Sequence, residues 1–579
     1  MTQTAPQAVL SIRGLSVALP AGGDRAHAIT DVSLDILPGQ TLCVVGESGS
    51  GKSVMATTVM GLLPKELQPV AGDIALQGES LLQASNLRLR QLRGKAMGMV
   101  FQEPMTALNP VMSCGDQVDE LLSTHTDWPA EQRRAEILRV FERVKLPEPA
   151  RMLRSYPHQL SGGQRQRIVI AMAVILKPAL LICDEPTTAL DVTTQKEILR
   201  LIADLQREQG SAVLFITHDM GVVAEIADQV LVMNQGQAVE SGDCEQVLRR
   251  PRADYTRQLL AAVPGMTPPP AKPEPQGTAL LSGQGVGKTY LSHDWLGRSR
   301  PTAALMDAAV AVRAGETVGI VGESGSGKST IGRCLLKLTD IDGGQMLFQG
   351  KDIAPLSASQ FRPLRNKIQM IFQDPFASLD PRKTVGFSIA EPILTHALLE
   401  GDAVEKRVCA LLEKVGLKAT HATRYPHEFS GGQRQRICIA RALACDPELI
   451  IADESVSALD VSIQAQIIDL LMDLQQKQGL SYLFITHDMA VVEKISHRVA
   501  VMLAGQLVEL GSRQQVFETP AHPYTRKLLS AIPVAEPGRK IDTSLMTDVI
   551  PSAIRKRDET VTPVSLYEIT PGHFVARSS

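Results

Sequence analysis

Two copies of a glycine-rich, eight-residue segment carry the clearest chemistry in this sequence. One comprises Gly46, Glu47, Ser48, Gly49, Ser50, Gly51, Lys52 and Ser53; the other comprises Gly322, Glu323, Ser324, Gly325, Ser326, Gly327, Lys328 and Ser329, followed by Thr330. Each follows a short apolar run that suits a strand and precedes a segment that suits a helix. This context predicts a loop whose backbone N–H groups cradle phosphates. Lys52 and Lys328 would reach the β- and γ-phosphates, and Ser53 and Ser329 would ligate Mg²⁺.

Two acidic pairs follow apolar, strand-like runs. They are Asp184 with Glu185 and Asp453 with Glu454. Ligands bind beyond the carboxyl ends of parallel strands, so we expect both pairs to face the phosphate loops. Asp184 and Asp453 would hold Mg²⁺ through water, and Glu185 and Glu454 would orient or deprotonate the attacking water. Without the loops, such a pair would more often be a solvated turn or a helix cap.

A histidine and a glutamine accompany each acidic pair. His218 and His487 end the strand-like runs AVLFIT and YLFIT, and each follows its glutamate at the same spacing. A lone histidine there is usually structural, but beside a γ-phosphate it becomes a hydrogen-bond donor or an acid–base partner. Gln102 and Gln373 follow short apolar runs. Because a neutral amide can contact Mg²⁺ or the water and then leave, we predict that these glutamines act as sensors in the metal site.

Each copy has a second segment that suits an anion, at the start of a long helical stretch. These segments, called here the signature segments, comprise Ser161, Gly162, Gly163 and Gln164, and Ser430, Gly431, Gly432 and Gln433. Such a helix start can bind an anion, although it could be only a capped helix. Each domain would then offer two phosphate-binding helix starts for one triphosphate. A head-to-tail pair of domains resolves this, with each nucleotide enclosed between the loop of one copy and the signature segment of the other.

The blocks recur because the chain contains one domain twice. YPHQLSGGQRQRI at residues 156–168 returns as YPHEFSGGQRQRI at 425–437, and the acidic and histidine blocks return at the same offset. Short β-branched runs alternate with amphipathic helical segments, which predicts an α/β fold with a parallel core sheet. The start of each copy suggests an added antiparallel layer. We place the domains at residues 1–263 and 280–535, with a proline-rich linker at 264–279 and a C-terminal tail at 536–579.

Two other stretches need an interpretation. Residues 283–289, GQGVGKT, resemble a phosphate loop, but Ser282 stands where the first glycine is required. We interpret this stretch as the start of the second domain. In the tail, the alternating run VSLYEI predicts a strand that packs back onto the second copy.

Composition limits the classes of function. The 579 residues carry a formal net charge of −3, which gives no electrostatic footprint for nucleic acid. Eight cysteines without a CxxC pair suggest buried free thiols in a reducing compartment. The N-terminus lacks the pattern of a signal peptide, and the longest apolar run is far shorter than the ~18–20 residues that span a bilayer. We therefore expect any membrane association to go through a partner.

In this order, and twice, the motifs resemble those of the ATP-binding subunits of ABC transporters. The resemblance implies two P-loop ATPase domains, each with a parallel core sheet, an antiparallel β subdomain and a helical subdomain. It also implies two ATP molecules with Mg²⁺ at the interface of the paired domains. Lys52, Ser53, Gln102, Asp184, Glu185 and His218 would act with Ser430 to Gln433, and the matching residues of the second copy with Ser161 to Gln164. Residues 189–191 and 458–460 would be the D-loops that cross the interface.

A finer resemblance points to the oligopeptide, dipeptide and nickel importers. FQEPMTALNP, which contains Gln102, and AHPYTRKLLSAIP at 521–533 are typical of that group, and the first copy has a weaker form of the second element, RADYTRQLLAAVP. A fused pair of domains resembles the glutathione- and microcin-type peptide importers. Tyr290 fits the aromatic residue that stacks on adenine in this family, whereas the first copy has Leu19 at that place.

The resemblance implies partners and a location. Two membrane permease subunits and a periplasmic or extracellular solute-binding protein would complete the importer, on whose cytoplasmic side this chain would sit as a peripheral protein of the bacterial inner membrane. The alternatives are a soluble tandem ATPase acting on ribosomes or nucleic acid, an importer of another small solute such as nickel, and a tandem sugar importer. The short proline-rich linker and the net charge speak against the first of these, and the HPYT element speaks against the last.

Overall fold

The computed structural model describes residues 7–20, 25–188, 190–263, 272, 277–293, 299–457, 459–536 and 563–577. Ala189 and Ala458, which begin the predicted D-loops, lie outside these residues, as do most of the linker and the first part of the tail. Within the described ranges, no helix has both the length and the apolar character that crossing a membrane requires.

Each copy is built on a mainly parallel sheet, as predicted. The first sheet runs, in spatial order, Gln237–Asp243, Gln229–Asn234, Thr41–Val45, Ala212–Ile216, Leu180–Asp184 and Met97–Val100. The second runs Ile368–Ile371, Leu449–Asp453, Ser481–Ile485, Thr317–Val321, Arg498–Leu503 and Gln506–Ser512, and continues into two strands of the tail. Every position of the two strands that lead into the phosphate loops is buried. Helices cover both faces of such a sheet, which explains the uninterrupted apolar runs in the sequence.

An antiparallel layer accompanies each core sheet and confirms the expectation for the start of each copy. Its strands are His27–Ile36, Leu10–Ala18, Gln68–Leu76 and Glu79–Ser80 in the first copy, and Ser299–Arg313, Ala279–His293, Gly343–Phe348 and Lys351–Asp352 in the second. Residues 283–289 lie inside the long strand Ala279–His293 and pair with its neighbours. They are therefore strand residues and not a third phosphate loop.

The helices follow the strands in the same order in both copies. In the first they are Lys52–Val59, Asn86–Leu92, Pro104–Ala107, Cys114–His125, Ala130–Arg143, Pro149–Met152, Gly162–Val174, Val192–Gln209, Met220–Ile226, Cys244–Arg249 and Asp254–Ala261. In the second they are Lys328–Leu335, Ala358–Phe361, Val385–Thr395, Asp402–Lys414, Gly431–Ala442, Val461–Gln478, Met489–Ile495, Arg513–Glu518 and Pro523–Ser530. One helix begins at each phosphate-loop lysine and another in each signature segment, so both predicted kinds of helix start are present.

The tail packs back onto the second copy, as the VSLYEI pattern predicted. Its strands Leu566–Thr570 and His573–Ala576 extend the second core sheet beyond Gln506–Ser512. His573 Nε2 lies 2.8 Å from Glu509 Oε1, and both side chains are buried. The tail therefore covers a sheet edge that would otherwise expose unpaired backbone groups.

The two copies touch each other through the segments that follow their main motifs. Lys196 Nζ of the first copy donates a hydrogen bond to the carbonyl oxygen of Ser530 at 2.7 Å. Val192 packs into an apolar cluster of the second copy, and Ala535 packs into the core of the first. The chain thus folds as a pair of domains in contact, and the end of the second copy reaches the first.

Candidate nucleotide sites

The first phosphate loop needs glycine at its two ends. Gly46 has φ +149°, and a Cβ there would lie 2.1 Å from the carbonyl oxygen of Met233. Gly51 has φ +102°, and a Cβ there would lie 2.7 Å from the carbonyl oxygen of Ala28. Side chains at these positions would collide with neighbouring backbone, so the cradle forms only with hydrogen at both sites.

The second loop has the same geometry. Gly322 also has φ +149°, with a hypothetical Cβ 2.2 Å from the carbonyl oxygen of Met502, and Gly327 has φ +102° with its Cβ 2.4 Å from that of Ala304. The two loops therefore share one backbone conformation, which glycine adopts without strain and other residues do not.

The loop lysines are buried and turned into the cradle. Lys52 Nζ donates to the carbonyl oxygens of Gly46 and Glu47 at 2.7 and 2.9 Å, and Lys328 Nζ donates to those of Gly322 and Glu323 at 2.8 Å each. Burial lowers the pKa of both amines, although nearby carboxylates oppose the shift. Each lysine therefore holds its loop closed while presenting a cation to an incoming phosphate.

A serine and an aspartate form a potential Mg²⁺ site beside each loop. Ser53 Oγ donates to Asp184 Oδ1 at 3.0 Å, and Ser329 Oγ donates to Asp453 Oδ1 at 2.7 Å. Burial raises the pKa of Asp184 to about 6 and also raises the pKa of Asp453. These hard oxygen donors at the mouth of a phosphate cradle are the groups that Mg²⁺ uses with nucleotides, so the residues present fit this ion.

Glu185 is held in place by three side chains. Gln102 Nε2 and Thr188 Oγ1 each donate to Glu185 Oε2 at 3.0 Å, and His218 Nδ1 lies 3.3 Å from Oε1. Glu185 has φ +46°, a conformation that non-glycine residues rarely adopt. Burial acts to raise its pKa, but the hydrogen bonds and charges around the carboxylate outweigh it and lower the pKa. The carboxylate is therefore ionised and fixed in direction.

The second copy repeats this arrangement with one difference. Gln373 Nε2 donates to Glu454 Oε2 at 2.7 Å, His487 Nδ1 lies 3.6 Å from Oε1, and Glu454 has φ +47°. Ser457, at the place of Thr188, donates instead to the backbone oxygen of Glu454. The structure therefore brings the predicted glutamate, glutamine and histidine of each copy together. The sequence analysis did not single out Thr188, which supports only the first glutamate.

Both signature segments are capped helix starts on an exposed surface. Ser161 Oγ accepts a hydrogen bond from the backbone N–H of Gln164, and Ser430 Oγ accepts one from that of Gln433. The two serines are exposed. The capped-helix interpretation is therefore correct for the geometry, and the binding of a phosphate by these segments stays a prediction.

Contacts between the copies meet at the second phosphate loop. Asp191, at the end of the first D-loop, accepts a hydrogen bond from the backbone N–H of Ser324 at 3.4 Å, and Thr193 Oγ1 donates to Glu323 Oε1. A cavity of about 270 Å³ there is lined by Asp191 of the first copy together with second-copy residues that include Lys328 and Glu454. In the opposite direction, the negative charge of Asp460 in the second copy acts to raise the pKa of Lys52 in the first loop, against the larger effect of burial. A first-copy side chain is therefore part of the cavity at the second loop.

The antiparallel layer brings the predicted adenine-stacking residue near this cavity. Tyr290 is 40% exposed and pairs in register with Thr302, which lines the cavity together with Ala304. Leu19 follows the corresponding strand of the first copy. Of these two positions, only Tyr290, beside the second loop, offers an aromatic ring for adenine.

Comparison with known proteins gives the following matches. The family model "ABC transporter" matches residues 29–188 and 305–457, and the model "Oligopeptide/dipeptide transporter, C-terminal region" matches residues 239–290 and 508–555. The glutathione import ATP-binding protein GsiA of Salmonella typhimurium is 51% identical over 602 residues, covering 98% of this chain and 97% of that protein. The proteins of the same name from Escherichia coli K12 and Shigella sonnei match with the same identity and coverage.

Proposed function

The chain belongs to the ABC transporter family as a tandem ATP-binding subunit of the oligopeptide/dipeptide importer group, and we propose that it drives uptake of glutathione or a closely related short peptide. The family and the importer ATPase activity that the sequence motifs predicted are thereby confirmed. The observation that carries the choice of solute is the 51% identity, along almost the whole chain, to glutathione import ATP-binding proteins.

We propose that the two ATP molecules bind in sites shared between the copies. One site would join Lys52 and its neighbours to the signature segment that begins at Ser430, and the other would join Lys328 to that beginning at Ser161. Two observations support this. Asp191 and Thr193 of the first copy form hydrogen bonds with the second loop, and Asp460 of the second copy lies close enough to Lys52 for its charge to act against the lowering of that lysine's pKa by burial. Such crossings are what a head-to-tail pair of domains would produce.

Within each site, different residues would bind the phosphates, hold Mg²⁺ and activate the water. The loop amides and the lysine would bind the β- and γ-phosphates. Mg²⁺, held by Ser53 and Asp184 or their counterparts, would neutralise charge on the phosphates. Hydrogen bonds from Gln102 and Gln373 fix the direction of the Glu185 and Glu454 carboxylates, so these can orient a water molecule and accept its proton. His218 Nδ1 and His487 Nδ1 lie 3.3 and 3.6 Å from the same carboxylates and would hold them towards the water.

We infer that the permease subunits contact the groove beside Gln373. A surface groove of about 630 Å³ is lined by Gln373 with exposed Phe372, and Gln373 also lines the cavity at the second loop. Gln373 would therefore link the proposed permease surface to Glu454, the carboxylate that would orient the attacking water. Two permease subunits and a solute-binding protein on the outer side would complete the importer, with this chain on the cytoplasmic face of the membrane.

The choice of solute can be tested by transport with purified components. The chain is reconstituted in liposomes with the two permease subunits and the solute-binding protein with which it co-purifies. Glutathione is expected to raise ATP hydrolysis severalfold and to accumulate inside, with a weaker response to simple dipeptides and none to nickel ions. Stimulation by nickel or by dipeptides without any response to glutathione would contradict this choice of solute but not the ATPase assignment.

A further inference from the structure

A tyrosine from the C-terminal element of each copy reaches its own phosphate loop. Tyr524 lies in the helix Pro523–Ser530, and its hydroxyl oxygen accepts a hydrogen bond from the backbone N–H of Glu323 at 3.0 Å. Tyr255 lies in the helix Asp254–Ala261, and its hydroxyl accepts one from the backbone N–H of Glu47 at 3.2 Å. The same contact thus forms twice, although the first copy lacks the His-Pro pair that precedes Tyr524.

The loop residue that Tyr524 holds is the same one that the loop lysine holds. Lys328 Nζ donates to the carbonyl oxygen of Glu323 at 2.8 Å, while Tyr524 accepts from its N–H. The side chain of Glu323 is fixed in turn by Thr193 of the other copy. The residue is therefore held on three sides: by tyrosine, by lysine and by the opposite domain.

The tyrosine itself is held firmly. Glu509, which is completely buried, accepts hydrogen bonds from the backbone N–H groups of Ala521 and His522 at 2.8 and 3.0 Å. His522 Nδ1 then accepts from the backbone N–H of Tyr524 at 3.1 Å. Tyr524 is 6% exposed and packs in one apolar cluster with Val321, the last residue of the strand before the loop. The ring therefore has little freedom to leave the loop.

We propose that Tyr524 and Tyr255 are positioning residues that preorganise the phosphate loops for ATP. Each tyrosine fixes the backbone at the glutamate of its loop, Glu323 or Glu47, before ATP binds. Binding then costs less conformational entropy, because the loop is already ordered. Once ATP is bound, its phosphate oxygens hold the loop amides, and the tyrosine contributes little to the chemical step. The inference rests on the proposed ATP sites and assigns to the C-terminal element a role in nucleotide affinity.

The two copies differ in how strongly this contact should act. Tyr524 and Glu323 are both buried, whereas Tyr255 and Glu47 are both partly exposed. A buried N–H that loses its acceptor is more costly than one that water can reach. The second loop should therefore depend more on its tyrosine than the first.

The test is steady-state ATP hydrolysis by full-length Tyr524→Phe and Tyr255→Phe variants. For Tyr524→Phe, KM for ATP should rise about three- to tenfold while kcat changes less than about twofold, because affinity and not chemistry is affected. Tyr255→Phe should give a smaller rise. Tyr482→Phe is the matched control, since Tyr482 is fully buried in the same copy and its hydroxyl bonds to the carbonyl oxygen of Leu471.

Three results would separate the outcomes. If Tyr524→Phe keeps the wild-type KM, or if Tyr482→Phe raises KM as much, the positioning role is refuted, because loss of any buried hydroxyl would then account for the change. Lower thermal stability with a normal KM would likewise refute it. If the wild-type protein hydrolyses ATP but Lys328→Ala leaves KM and kcat unchanged, the proposed ATP site at the second loop itself fails, which is a different result from the ones above.

Discussion

Replacing Glu185 and Glu454 together by glutamine is expected to slow ATP hydrolysis by about 100-fold or more, while both loops still bind ATP. Glutamine has nearly the shape of glutamate and can still accept the hydrogen bonds that Gln102 and Gln373 donate. It cannot accept a proton from water. The phosphate loops and their lysines are untouched, so nucleotide is expected to remain bound.

Phosphate release and retained radiolabelled ATP, measured on the same samples, check this prediction. Glu316→Gln is a suitable control, because Glu316 is also a buried carboxylate but pairs with Arg498 away from the loop. It should leave hydrolysis close to wild type. Sustained wild-type turnover in the double glutamine variant would show that neither glutamate handles the attacking water.

Removing either loop lysine should eliminate one of two ATP sites. Lys52→Ala and Lys328→Ala each delete the buried cation and its two hydrogen bonds to loop carbonyls. Charge-assisted hydrogen bonds to phosphate are worth about 1.5–3 kcal/mol each, so affinity at the altered loop should fall by at least about 10-fold. Calorimetric titration with ATP and Mg²⁺ should then resolve one tight site per chain instead of two.

The exposed lysine Lys477, paired with Asp473, provides the control for this loss of charge. Lys477→Ala should keep two tight sites. Two tight sites in Lys52→Ala or in Lys328→Ala would mean that the lysine is not a phosphate ligand in that copy.

The parts of the site that the sequence predicted are those fixed by local geometry. Gly46 and Gly322 both have φ +149°, a backbone conformation that residues with side chains rarely adopt, and the glycine-rich motif alone signals that requirement. Asp184 and Asp453 end buried strands, so the sheet carries them to the loop edge without further information. Strand, motif and helix therefore specify each phosphate loop from within a short stretch of chain, and the parallel sheet brings the aspartate to it.

The parts that could not be predicted depend on contacts between distant surfaces. Thr193 meets Glu323 only because the two copies face each other, and nothing in the spacing of TTQ marks that threonine. Tyr524 stood in a recognised element, but its contact with the phosphate loop depends on where the C-terminal helix packs. The His573–Glu509 pair likewise arises only when the tail folds back. For the contact of Tyr524 with the loop, the available sequence signal was that a Tyr-Thr-Arg segment occurs at the end of both copies.

The central claim is that each ATP site combines the loop of one copy with the signature segment of the other. Two double variants, built in the Glu185→Gln/Glu454→Gln background, test it by the amount of ATP trapped per chain. Lys52→Ala with Ser430→Arg places both changes in one shared site, so one trapped ATP should remain. Lys52→Ala with Ser161→Arg damages both shared sites, so none should remain. The reverse result, with ATP trapped only in the second variant, would contradict shared sites and show that each copy binds ATP by itself.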